Sequence, residues 1–111
     1  YSVVLLEREI FPRAHVRESL SPASMPVLEE LGVLGQIESE NFPKKYGATM
    51  VWGRDDTPWS WYFRETNRTY PYAYQVSRPR FDQILLDNAY LFGADVRENV
   101  VSRLACFLAK R

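Results

Sequence analysis

The apolar positions of the chain change period several times, and each change marks an element. Ser2 to Glu7 is a continuous apolar run, rich in β-branched residues and ended by a charge, which predicts a strand buried on both faces of a parallel sheet. Ile10 to Ser21 is polar, punctuated by prolines and without period; it reads as a long connection, a kind of segment that often carries function. Ser24 as a cap, Pro26 in the first turn and an apolar face of Val27, Leu28, Leu31, Val33 and Leu34 predict a short helix that Gly32 ends or turns. A second helical piece follows over Leu34 to Glu38, before Pro43.

Ala48 to Trp52, Trp59 to Phe63 and Tyr70 to Val76 are rich in aromatic and β-branched residues, with polar turn segments Gly53-Arg54-Asp55-Asp56 and Glu65-Thr66-Asn67 between them. This pattern predicts three strands of one antiparallel sheet joined by hairpins. Beyond Pro79, the residues Phe81, Ile84, Leu85, Ala89 and Leu91 or Phe92 keep helical spacing up to Gly93, where a C-terminal stop belongs. Ala94 to Arg97 returns to a strand that rejoins the parallel sheet, and Val100 to Arg111 has no clear pattern. The order strand, loop, helix, antiparallel insertion over about residues 45–76, helix, strand is α/β. A single partial domain over residues 1–111 fits it better than an independent fold, because the first strand would otherwise leave an unprotected edge.

Composition narrows the function classes. The 111 residues are 46% hydrophobic and 25% charged, a globular balance, and 14 basic residues cancel 14 acidic ones. No overall field draws the chain to nucleic acid or an anionic membrane. No apolar run approaches the roughly 20 residues of a bilayer span and no secretory signal opens the chain, so a cytoplasmic protein is the expectation. Cys106 is the one cysteine, which excludes an internal disulfide and a cysteine-based zinc site; it reads as a buried, inert thiol. A start at Tyr1, without methionine and directly into an apolar run, reads as a piece of a longer chain.

The candidate chemistry begins at Glu7. An acidic residue ending a buried strand is the position that hydrogen-bonds an adenosine ribose in dinucleotide-binding folds, with a glycine-rich phosphate loop about 20 residues earlier. A carboxylate can accept from both ribose hydroxyls; equally, many strands end in a surface glutamate. His15, without a second ligand or a partner nucleophile, supports neither a metal site nor a triad.

A family resemblance adds to this. Val4 to Arg13, then His15-Val16-Arg17-Glu18-Ser19-Leu20 and Pro22, resembles the region after the glycine loop in flavin-dependent halogenases of the FAD monooxygenase superfamily. Lys45-Tyr46-Gly47-Ala48-Thr49 with Val51-Trp52-Gly53 is similar to the lysine-bearing strand of the members acting on phenols and pyrroles. Tyr74 to Asp82, with Leu85-Leu86, resembles the segment leading into the next helix of their FAD domain.

The resemblance implies a fragment of a Rossmann-like, glutathione-reductase-type FAD-binding domain carrying an inserted antiparallel sheet. It implies FAD reduced by a separate flavin reductase, with oxygen and halide as co-substrates. The substrate would be an electron-rich aromatic small molecule, free or carrier-protein-bound. Lys45 matches the family lysine that holds or captures the halogen electrophile; the plain alternative is an exposed lysine beside Lys44 in a polar turn. Glu7, Arg8, Glu18, Ser19, Gln75 and Arg78 would be cofactor-binding. Trp52 and Trp61, with Trp59, Tyr62 and Phe63 near them, would wall a substrate pocket or belong to the core. Arg17 departs from the family, which places glycine there, and a large cation could crowd a backbone approach that glycine permits. Residues 98–111 also depart from it. The rival readings are a non-halogenating FAD monooxygenase, a geranylgeranyl-reductase-like oxidoreductase, and a fragment that is non-catalytic as it stands.

Overall fold

The computed structural model describes residues 1–103, so Cys106 and most of the patternless tail lie outside the described residues. Strand β1 (Val4–Leu6) pairs in parallel with β6 (Asp95–Arg97), Leu5 opposite Val96. The helix before β6, α3 (Arg78–Leu91), carries Pro79 in its first turn and is followed by Gly93 at φ +93°, the left-handed position where glycine costs least. Helix and strand therefore return to a parallel pair as the spacing predicts. Burial of β1 on both faces is not found. Val4 is 53% and Leu6 46% exposed, since among the described residues β6 is the one strand hydrogen-bonded to β1.

Helix α1 (Ser24–Glu30) starts one residue earlier than a Ser24 cap requires. The Ser24 hydroxyl donates to the Ser21 carbonyl at 2.6 Å, and Ala23 occupies the cap without a side-chain bond. Gly32, at φ +74°, ends the helix: its N–H donates to Glu29 and that of Val33 to Leu28, which satisfies two otherwise orphaned carbonyls. The apolar face differs from the predicted one. Met25, Leu28 and Val33 are buried, while Val27 and Leu31 point to solvent, because the i, i+3 pair Met25 and Leu28 faces the core. Helix α2 (Leu34–Ser39) follows at once and buries Ile37.

The expected three-stranded antiparallel sheet is instead two separate pairs. β3 (Gly47–Val51) pairs with β4 (Pro58–Tyr62), whereas β2 (Lys44–Lys45) pairs with β5 (Ala73–Tyr74). A 3-10 turn at Phe63–Glu65 and the proline at Pro71, which has no N–H to give a ladder, separate β5 from β4. The backbone at β5 is bonded on both sides. Leu20 N–H reaches the Tyr74 carbonyl at 3.0 Å and Val76 N–H the Glu18 carbonyl at 2.7 Å, while Gln75 N–H reaches Pro43 at 2.8 Å. The segment 18–20 from the long connection is thus laid along one edge of β5, and 43–45 along the other.

Met25, Leu28, Val33, Ile37, Tyr74, Val76, Phe81 and Ile84 form the core, so α1, α2, β5 and α3 close around it. The tryptophans are not part of it: Trp52 is 82% and Trp59 62% exposed. Large apolar side chains stay exposed outside the core, among them Val4, Leu6, Met50, Val51 and Tyr62.

Candidate functional site

Two clusters of polar side chains form at the two ends of the 8–20 connection. The first surrounds Glu7, which the parallel pairing of β1 sets at the strand's end, its N–H on the Arg97 carbonyl at 2.9 Å. One carboxylate oxygen accepts from the Glu9 N–H at 3.0 Å and the other lies 3.5 Å from Arg13 Nη2. The Glu9 amide first, and then the Arg13 charge, outweigh partial burial and hold Glu7 below its ordinary value, so it is ionised at neutral pH. Beside it opens a cavity of about 280 Å³ lined by Leu5, Phe11, Arg13, Arg78, Asp82 and the Leu85-Leu86 pair. Arg8 is not brought there; its side chain is 75% exposed and pairs loosely with Glu9 at 3.6 Å.

Arg78 and Asp82, one turn apart on α3, form a bidentate pair at 2.8 and 3.2 Å. The remaining Arg78 nitrogen, Nη1, donates to the carbonyls of Val16 at 2.8 Å and Arg17 at 3.3 Å. Arg13 lies between the two clusters, its Nη1 3.6 Å from Asp82 and its guanidinium 4.7 Å from the centre of the Phe11 ring. Arg13 and Asp82 thereby join Glu7 to the loop at residues 16–17. Sequence reasoning missed both. The signals were there: an arginine six residues beyond Glu7, and a carboxylate at i+4 from Arg78.

The second cluster is the groove of about 610 Å³ lined by His15, Val16, Arg17, Glu18, Ser19 and Gln75. Arg17 adopts φ +68°, so its backbone follows the left-handed path a glycine would take while its side chain stays exposed. Ser19 forms a bridge with Gln75, and Lys45 sits opposite Ala73. Cross-strand partners share a face and side chains alternate along a strand; Ser19, Gln75, Ala73 and Lys45 therefore lie on one face. The Lys45 amine donates to the Ser19 hydroxyl and lies 5.8 Å from the centre of the Phe63 ring. Partial burial lowers its pKa from the ordinary lysine value. Lys44 falls on the opposite face, its amine 4.4 Å above the Tyr72 ring. The two lysines are thus divided by a strand rather than exposed together in a turn.

The aromatic candidates are not brought together. Trp61 stacks on Trp59, ring centres 4.7 Å apart, and lines a shallow cleft of about 320 Å³ with Gly47 to Thr49, Ser60 and Tyr62. Trp52 projects from the β3–β4 turn and does not line that cleft. Among the described residues, no group of three His, Cys, Asp or Glu side chains is arranged to hold a metal ion, and no helix is long and apolar enough to cross a membrane.

The chain matches no protein-family profile. It is 37% identical over 105 residues to a tryptophan 2-halogenase of Chondromyces crocatus, covering 94% of this chain and 19% of that protein. It is 34% identical to a 1H-pyrrole-2-carbonyl-[peptidyl-carrier protein] chlorinase of Pseudomonas fluorescens, covering 86% and 25%. The myxobacterial chondrochloren halogenase CndH, described as an FAD-dependent halogenase, superposes with a TM-score of 0.78 at 44% identity, over 88% of this chain and 23% of that one. These relatives define the class as flavin-dependent oxidoreductases. More narrowly they are flavin-dependent halogenases, and the chain is homologous to one segment of them, about one fifth to one quarter of their length.

Proposed function

We propose that the chain is a segment of a flavin-dependent halogenase, supplying half of its FAD site and its lysine to a larger enzyme. The observation that carries this reading is the Lys45 amine, set by strand pairing beside Ser19 on the same face as the groove of the 15–19 loop. The residues fit FAD. Glu7 is ionised beside a cavity, with lone pairs left for ribose hydroxyls, and Arg17 holds a left-handed backbone of the kind glycine adopts readily. When bound, reduced FAD supplies the two electrons that, with two from halide, reduce O2 and leave the halogen as an electrophile.

Each residue then has a task. Glu7 holds the ribose, and Arg78 fixes the loop carbonyls at residues 16 and 17. Lys45, a strong donor when charged and a nucleophile when not, holds or captures the electrophile beside an electron-rich aromatic ring. A separate flavin reductase would reduce the cofactor. A phenol or pyrrole, free or tethered to a carrier protein, is the substrate class, by analogy with the pyrrole-carbonyl relative. The exposed apolar side chains of β1 and of the β3–β4 hairpin support the further reading that the 111 residues alone are non-catalytic.

The test is to express the longer protein that contains this segment, supply flavin reductase, chloride or bromide and a panel of phenols and pyrroles, and follow products by mass spectrometry. Lys45→Ala is expected to keep FAD and lose halogenation; normal chlorination by that variant would refute the role. FAD added to the isolated chain is expected to show an unperturbed flavin spectrum, and tight binding would overturn the second reading.

A further inference from the structure

We propose that Ser19 is a positioning residue for Lys45, holding its amine in place and in the protonated form; the catalytic meaning of this rests on the reading of Lys45 above. The contact is built by the backbone. The segment 18–20 and the segment 43–45 lie on opposite edges of β5, each hydrogen-bonded to it, so strand pairing fixes the backbone positions from which the lysine and the exposed serine meet. Between them on that face lies Ala73, fully buried and too small to block the lysine stem as it crosses β5. The serine oxygen accepts from the ammonium, and its own O–H remains free to turn toward the groove.

A hydroxyl that accepts from an ammonium favours the charged form, opposing the burial that favours the neutral one. The titratable and charged groups lining Ser19's groove are His15, Arg17 and Glu18; Phe63 is the ring against the amine, and Lys44 lies on the other face. The device keeps one lysine of the pair aimed and charged while its neighbour covers an aromatic surface.

The experiment measures the reactivity of the Lys45 amine toward an amine-selective acylating reagent across pH, by mass spectrometry, in the FAD-loaded longer protein. Ser19→Ala removes the acceptor, lowers the lysine pKa and is expected to speed acylation below that pKa by about threefold to tenfold, half to one pH unit. Ser19→Thr keeps the hydroxyl and is expected to restore the original profile. Under turnover, Ser19→Ala is expected to lower kcat with little change in KM for the aromatic. An unchanged acylation profile in Ser19→Ala, or loss of FAD from it, would overturn the proposal, the latter by making Ser19 a flavin ligand. The acylation readout does not depend on catalysis, whereas Lys45→Ala under turnover tests the catalytic reading by itself.

Discussion

Replacing Gly47 by alanine is expected to break the start of the β3–β4 hairpin and with it the frame two residues beyond Lys45. A Cβ built on Gly47 would lie 2.4 Å from the Trp61 carbonyl oxygen and 3.4 Å from the Trp61 carbonyl carbon and Tyr62 Cα. Real contacts of this kind do not fall below 3.0 Å, so the oxygen must retreat by at least about 0.6 Å. That oxygen is backbone, held by a ladder in which Gly47 faces Tyr62 and Ala48 faces Trp61, and no rotamer change relieves it. Overpacking of this type costs roughly 1–3 kcal/mol, and a solvent-exposed hairpin that can open at one end belongs near 2 kcal/mol. Urea unfolding should show the loss as a lower midpoint at constant slope, with a weaker near-ultraviolet dichroism from the Trp59 and Trp61 stack. Gly35→Ala is the control, since its Cβ would meet nothing within 4 Å and it sits inside α2, where alanine should add about 0.5–1 kcal/mol. A Gly47→Ala protein within about 0.5 kcal/mol of the parent, with unaltered dichroism, would refute the reasoning.

Arg17→Gly should stabilise the fold by about 0.5–1 kcal/mol, the left-handed strain of an L-residue less the extra chain entropy of glycine, read as a higher urea midpoint. Asp82→Asn should cost about 3 kcal/mol, the low end for a broken buried pair because Arg13 and Arg78 are 18% and 20% exposed, and should loosen the 16–17 loop to proteolysis. Tyr74 is pushed up to about 12, by burial first. The folded state then holds its proton more tightly than the unfolded one, so this stability is complete below pH 10 and lost as pH rises from 10 toward 12. Tyr74→Phe should flatten that alkaline slope at little cost at neutral pH, because among the described residues the buried hydroxyl it removes has no well-formed hydrogen bond, Tyr72 being only a weak neighbour.

What was legible in the sequence follows from which interactions are local. The long helix could be read because the spacing of Phe81, Ile84 and Leu85 and the stop at Gly93 are local properties of a 3.6-residue period, and α3 has them. The parallel return to β6 could be read because a helix stopped by glycine and followed by a short extended segment around Val96 has few other outcomes. The sheet over residues 45–76 could not. An aromatic-rich stretch states that it can pair, while its partner is chosen by distant chain: Ala73 and Tyr74 take Lys44 and Lys45 on one side and the 18–20 loop on the other. The misjudged face of α1 has the same origin, since which stripe of a short helix is buried depends on where α3 and β5 lie.

The site divides along the same line. Glu7, Ser19, Lys45 and Arg78 were singled out by motif, and the structure sets Glu7 with Arg78 and Ser19 with Lys45, but Arg13 and Asp82, which connect Glu7 to Arg78, lay within those motif segments without a role. Their meaning is a matter of contact across 69 residues of chain, the separation of Arg13 from Asp82. Arg17 shows the converse. Its side chain departs from the glycine expected there, yet at φ +68° the backbone runs where glycine would run, and Arg78 still reaches the carbonyls on both sides of it. Arg78 holds the direction of those carbonyls, and a cation on the exposed side leaves that contact intact. An arginine in place of glycine then costs a local strain of about 1 kcal/mol, which the bonds from Arg78 to the loop carbonyls help to hold.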